Sequence, residues 1–288
     1  MGGMRRLIGG ALAALAIVMI TPTAAYAFGE WREEGMSTFD LQAEKSAEAS
    51  CPDGSMVVGS GGYVLGGEGK VVLTGVVPNV GLDTVTAYAK ALPYNLAPWA
   101  VVALAVCGDR DESVHREMGI SFFGNARAQC PQGKVLWSTG FNVPWSTLTT
   151  TYVSAVEPAL DQTSVLVRGV SAPGAAVIAY GICGYDFFSG TEVTSAATAV
   201  VPRGQTYLKV DPAFHGGRVF GAGISANRSG LFVDGLGMGI DFSLPEAGWA
   251  SGRMSWLPGS GGSKAPAART ATGDEVTVYA LTIGSWYD

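Results

Sequence analysis

Charge, histidine and cysteine are all scarce in this chain. Only 15% of its 288 residues are Asp, Glu, Lys or Arg, and there are two histidines and four cysteines. His115 and His215 stand far apart, and no C-x-x-C pair supplies thiolates, so the clustered ligands of a zinc site are missing. The acidic stretch "GDRDES", with Asp109, Asp111 and Glu112, lacks the spacing of a calcium loop. No metal is expected. No G-x-S-x-G elbow occurs to present a serine nucleophile. "GAGISA", Gly221 to Ala226, fits the glycine fingerprint of a dinucleotide site, but "NRSG" follows where that motif requires a helix. No cofactor is expected either.

Basic charge is short as well. Residues 1–27 have the form of an export signal, with Arg5 and Arg6, an apolar run from Leu7 to Ile20, and Ala25-Tyr26-Ala27 as a small-x-small cleavage site. That apolar run is shorter than the about 20 residues of a membrane span. Its removal leaves 16 basic and 24 acidic residues, a net charge near −8. An acidic chain with dispersed lysines excludes nucleic acid and anionic membrane surfaces as electrostatic partners. No later apolar stretch reaches membrane length, so the mature chain is expected to carry no membrane span and to be secreted. "LPGSG" at Leu257 to Gly261 lacks the hydrophobic segment and basic tail of a wall-sorting signal.

What is abundant is glycine, 41 residues against 14 prolines, together with Val, Thr and aromatics. Helical periodicity is absent. This composition predicts an all-β protein of many short strands and tight turns, and about 261 mature residues are enough for a substantial core.

The chain repeats itself. "CPDGSMVVGSGG" from Cys51 aligns with "CPQGKVLWSTGF" from Cys130, placing Gly54 on Gly133, Val57 on Leu136 and Gly61 on Gly140. Both segments close alike, "WAVVALAVCG" at Gly108 and "AAVIAYGICG" at Gly184. A third copy, "GGRVFGAGIS" from Gly216, places Val219 on Val57 and Gly223 on Gly61, and closes at Gly284. Its cysteine positions have become Ala213 and Ile283. Four cysteines allow three pairings. Joint loss of both cysteines from the third copy favours Cys51–Cys107 and Cys130–Cys183, which an oxidising compartment permits.

Three degenerate four-stranded repeats are therefore expected: 28–108, 109–184 and 185–288, the last without cysteine. A lone four-stranded sheet cannot hide its apolar face. Three such sheets around a pseudo-threefold axis solve this, a β-prism-like arrangement forming one compact domain; tandem small β-sandwiches are the alternative.

The phrase C-P-x-G-x-x-V-x-G-x-G followed by a closing A-x-x-V-C-G resembles repeats in exported actinobacterial proteins, with similar modules in bacterial collagen-like and adhesin-like proteins. The resemblance covers Cys51 to Gly108 and Cys130 to Gly184, and more weakly Ala213 to Gly284. It implies an extracellular β module for adhesion or ligand binding, with no catalytic residues.

Function is expected where the copies differ, at the hairpin tips "GGEGK" (Gly66 to Lys70), "PWST" (Pro144 to Thr147) and "ANRSG" (Ala226 to Gly230). Trp145 is a candidate platform for a sugar ring; Glu68, Asn227 and Arg228 are candidate polar contacts. Trp99 and Trp137 lie within strands and are expected in the core, and His115 in a solvated linker. The expected function is a secreted, non-enzymatic binding module, lectin-like or adhesin-like, whose partner is a glycan or a cell-surface protein. The alternatives are a structural or interaction protein of the cell envelope or of an exported assembly, and a hydrolase with its site near His215.

Overall fold

The computed structural model describes residues 31–93, 95–144, 152–170, 174–186, 192–201, 207–210, 218–226, 231–241, 247–256 and 274–283. Residues 1–27, expected from sequence to be an export signal, lie outside them. The described chain is all-β, with a single short 3₁₀ turn at Gly67–Gly69. Residues 31–109 form β1 (Trp31–Met36), β2 (Glu44–Ser50), β3 (Ser55–Gly66), β4 (Val71–Pro78), β5 (Thr84–Ala91) and β6 (Trp99–Asp109). Next come β7 (His115–Ser121), β8 (Asn125–Gln129), β9 (Lys134–Asn142), β10 (Tyr152–Pro158), β11 (Ser164–Val170) and β12 (Val177–Tyr185). The last segment holds β13 (Glu192–Val201), β14 (Tyr207–Val210), β15 (Arg218–Ala226), β16 (Leu231–Asp241), β17 (Ala247–Trp256) and β18 (Asp274–Ile283).

Each segment thus holds six strands, not the four expected. The additional pair precedes the Cys-Pro phrase and carries weak strand formers, as in "EKSAEAS" of β2. Alternation rescues it: Lys45, Ala47 and Ala49 point inward and the residues between them face solvent. Tertiary context overrides propensity here.

The strands make three six-stranded sheets, ordered β1-β6-β3-β16-β17-β14, β2-β5-β4-β9-β12-β7 and β13-β18-β15-β10-β11-β8. Every sheet takes three strands from one segment and three from another, joined by the pairs β3–β16, β4–β9 and β10–β15. Separate sandwiches, each folded from its own segment, therefore do not form. Inward-facing residues of all three sheets, among them Val57, Val76, Phe141, Val165, Val219 and Val278, belong to one contiguous apolar cluster. Trp99 to Gly108 is buried throughout, as a continuous apolar run covered on both faces should be. Where sheet edges meet, β1 lies against β2 and β7 against β8. A Cβ at Gly35 or Gly119 would overlap the carbonyl oxygen of Glu48 or Arg127, so only glycine fits these corners.

The repeated cysteine phrase is a turn followed by a bulge. Gly54 and Gly133 have φ of 86° and 81°, and the amides of Ser55 and Lys134 donate to the carbonyls of Pro52 and Pro131. A one-residue bulge then falls at Val58, at Trp137 and at Phe220, between the registers Val57↔Cys107 and Gly59↔Val106, Leu136↔Cys183 and Ser138↔Ile182, and Val219↔Thr282 and Gly221↔Leu281. Thr282, not Ile283, thus stands where the other segments have cysteine. Counting back from Gly284 misses an extra residue before that glycine. Ala213 lies outside the described residues. The disulfides are Cys51–Cys107 and Cys130–Cys183, each with Cα atoms 5.6 Å apart.

Polar groups meet inside the core where β3, β9 and β15 approach. The Ser60 hydroxyl donates to the Thr139 carbonyl at 2.8 Å, and the Thr139 hydroxyl to the Ala222 carbonyl at 2.5 Å. The Ser60 amide donates to Ser138 Oγ at 2.9 Å. Ser60, Ser138 and Thr139 are at most 1% exposed, so each bond satisfies a group that water cannot reach. The relay stops at Ala222, which has no hydroxyl to pass on. Thr139→Val is expected to lower stability by about 1–3 kcal/mol, because it removes a buried donor and strands the Ala222 carbonyl. Urea unfolding of the two proteins measures the difference. Removing both cysteines of either disulfide should cost about 4 kcal/mol in the chain-entropy account, read in the same assay.

Candidate functional site

Among the described residues, the best-formed concavity is a groove of about 640 Å³ on the sheet built from β2, β5, β4, β9, β12 and β7. It opens on the face turned away from the core. Ser37, Thr38 and Gln42 of the β1–β2 connection form one wall, and Val143 and Pro144 close the end of β9.

Register puts the floor together. Ser46 pairs with Tyr88, Tyr88 with Gly75, and Gly75 with Asn142, so these four residues run in one row across four strands on the same face. The bulge at Thr74, between Leu73 and Gly75 in the β4–β5 pairing, sets this phase. A Cβ at Gly75 would lie 3.1 Å from both Tyr88 Cδ2 and Asn142 Oδ1. Gly75 is itself buried, and its missing side chain lets the Tyr88 ring and the Asn142 amide pack against the backbone between them. Tyr88 is 40% exposed, unusual for a tyrosine in the middle of a strand of a six-stranded sheet. Beyond Asn142, Tyr180 is nearly buried beneath Arg116, whose guanidinium lies 4.9 Å from its ring centre. Burial raises the Tyr180 pKa, and a hydrogen bond shared with Asn142 partly offsets this.

Charge in the groove is matched. Lys90 and Glu44 pair across β5 and β2 at 2.6 Å on the rim. Lys45 faces inward with its side chain 2% exposed. Its ammonium donates to the carbonyls of Thr38, Asp40 and Trp99, contacts the Asp40 carboxylate at 2.7 Å, and lies 4.6 Å from the centre of a Trp99 ring. One buried cation thus fastens the connection that walls the groove. Asp40 also accepts from the Thr38 hydroxyl and the Gln42 amide. The Lys45 bond, then these two, hold its carboxyl far below the usual carboxylate range.

The residues singled out from sequence fall elsewhere. Trp145, Asn227, Arg228 and His215 lie outside the described residues; Trp145 follows groove-lining Pro144 in the chain. The backbone of Glu68 lies in the 3₁₀ turn between β3 and β4, where Gly66, Gly67 and Gly69 all have φ near 70°. Trp99 and Trp137 are buried in the core. His115 is no linker residue: it opens β7, with Nε2 3.0 Å from Glu117 and Nδ1 2.9 Å from the Lys134 ammonium. No group of three or more His, Cys, Asp or Glu suited to a metal occurs among the described residues. Nor is any described helix long and apolar enough to cross a membrane. Tyr88 sits in "DTVTAYAKA", whose period-two pattern places it on one face with Thr84, Thr86 and Lys90. That alternation marks an outward aromatic, whereas Gly75 and Asn142 join it only through pairing between strands distant in sequence. No protein-family model matches the chain, and no curated protein matches it at a significant level.

Lys45→Met should cost about 2–3 kcal/mol, since it leaves buried carbonyls without their donor, and thermal unfolding would register it. Asp40 has a lowered folded pKa, so its contribution is fully present above its unfolded value near 4 and is lost only as pH falls through the lower folded value. An NMR titration should find its carboxyl carbon unchanged across about pH 3 to 5. A midpoint near 4 would refute the clamp.

Proposed function

We propose that this protein is a secreted, non-enzymatic glycan-binding module of lectin-like or adhesin-like type, with its ligand seated in the groove against Tyr88 and Asn142. The observation that carries this reading is an exposed aromatic ring in a groove lined by Ser46, Thr74, Asn142 and the Glu44–Lys90 pair. Sugar rings present C–H faces that stack on such a ring, and their hydroxyls need the donors and acceptors that border it. Two disulfides fit an oxidising compartment and support export. We read the three segments as degenerate repeats in a pseudo-threefold β-prism. The recurrent bulges and the exchange of three strands between neighbouring segments support this. Kinship with the exported actinobacterial repeat proteins is part of the same proposal and rests on the Cys-Pro-x-Gly phrase.

A second reading, an interaction protein of the cell envelope or of an exported assembly, draws on another observation. Met118, Ile120, Phe122 and Phe123 are each at least 50% exposed along edge strand β7 and the turn after it. Such a stripe suits a protein partner. A stoichiometric protein recovered with the mature chain from culture supernatant would favour it.

The glycan reading is tested by applying the mature protein to a glycan array beside Tyr88→Ala and Trp145→Ala. Tyr88→Ala should lose at least about tenfold in affinity, the scale of a stacked ring with its buried area, while keeping its melting temperature. An array on which the parent protein retains nothing would end this reading.

A further inference from the structure

We infer that the ligand of this groove is an uncharged oligosaccharide lying across the strands, an inference that rests on the glycan-binding reading. Both charged groups at the rim are committed to each other, Lys90 to Glu44 at 2.6 Å. The ammonium behind the wall is committed to Asp40 and three carbonyls. A carboxylate or ammonium on the ligand would have to break one of these pairs and leave a like charge facing it. A sugar hydroxyl requires no such exchange. It both donates and accepts, so it can bridge the Glu44 oxygens and the Lys90 donors while the pair persists.

Length follows from the row. Ser46, Tyr88, Gly75 and Asn142 span three interstrand steps, about 14 Å, more than one sugar ring covers. The ligand is therefore a chain of about two or three rings crossing the strands. Other sheets do not repeat this row. Its counterpart at the β10–β15 junction reads Arg168, Ala155 and Ser225, and that at the β3–β16 junction reads Arg253, Gly235 and Tyr63. An arginine stands at the Tyr88 position of both rows, Arg168 being paired with Glu157 at 2.8 Å, so a tyrosine at that position belongs to this junction alone among the three.

The experiment titrates the mature chain by calorimetry with neutral hexose oligosaccharides of increasing length, a polyuronate, and chitosan, at low and high salt. Neutral oligosaccharides should bind, gain affinity up to about three rings, and change by less than about twofold with salt. Lys90→Met, on the exposed rim, should weaken them about tenfold at an unchanged melting temperature, and undiminished binding by this variant overturns the bridging of the Glu44–Lys90 pair. Tighter binding of the polyuronate or of chitosan, weakened by salt, overturns the uncharged ligand while leaving the glycan reading in place. Binding of no saccharide of any class overturns both.

Discussion

Everything in this fold depends on three glycine-rich strands passing close enough for one backbone to bond another's side chain inside an apolar core. Ser60 reaches the Thr139 carbonyl, and Thr139 reaches the Ala222 carbonyl. Larger residues at the neighbouring glycines would hold the strands apart. A Cβ at Gly221 of β15 would lie 2.8 Å from Ser138 Cα and 2.9 Å from the Trp137 carbonyl oxygen, both on β9. Isolated buried polar groups cost more than a net hydrogen bond returns, so strands at this distance either satisfy one another or separate. The polar contacts therefore fix register as well as adding stability.

Register in turn decides what every other residue does. Bulges at Val58, Trp137 and Phe220 shift β3, β9 and β15 by one residue against their partners, which sets the phase at which side chains alternate between core and solvent. The disulfides lock the same place, tying each Cys-Pro turn to the strand opposite the bulge. In the third segment Thr282 stands where Cys107 and Cys183 stand, and Phe220 stands at the bulge. Phe220 packs on Trp137 at the bulge of β9, with ring centres 6.4 Å apart, which joins β15 to β9.

Legibility in the sequence followed the range of the interactions. Strand content, the recurrence of the Cys-Pro phrase and the cysteine pairing are written in residues whose partners lie within one segment, and alternation or co-loss exposes them. Six strands per segment were not legible, because β2 is made of Glu, Lys, Ser and Ala and is a strand only through its inward alanines. The hairpin tips drew attention as the most divergent stretches, yet the groove lies on a sheet face. Its residues come from positions 46, 75, 88 and 142 and share a row only through the β4–β9 pairing. Nothing in one sequence announces such a pairing, since Gly75 and Asn142 are unremarkable residues until their strands are set side by side. Lys45 was hidden for the opposite reason. Its alternation with Ala47 and Ala49 assigns it to the core, where an unpaired lysine is costly, and only the folded connection supplies the four oxygens that make it tolerable.

The same division separates the two faces of each sheet. Inner faces answer to one core and one set of close approaches, so most of their residues are apolar or glycine, and the polar Ser60, Thr139 and Lys45 among them are held by hydrogen bonds. The outer rows share no such set of contacts. There the three junctions diverge, to Tyr88 with Gly75 and Asn142, to Arg168 with Ala155 and Ser225, and to Arg253 with Gly235 and Tyr63. A scaffold of this kind leaves its outer rows free to differ without disturbing the core. The row with an exposed ring and a matched charge pair is the one on which the proposed glycan site rests.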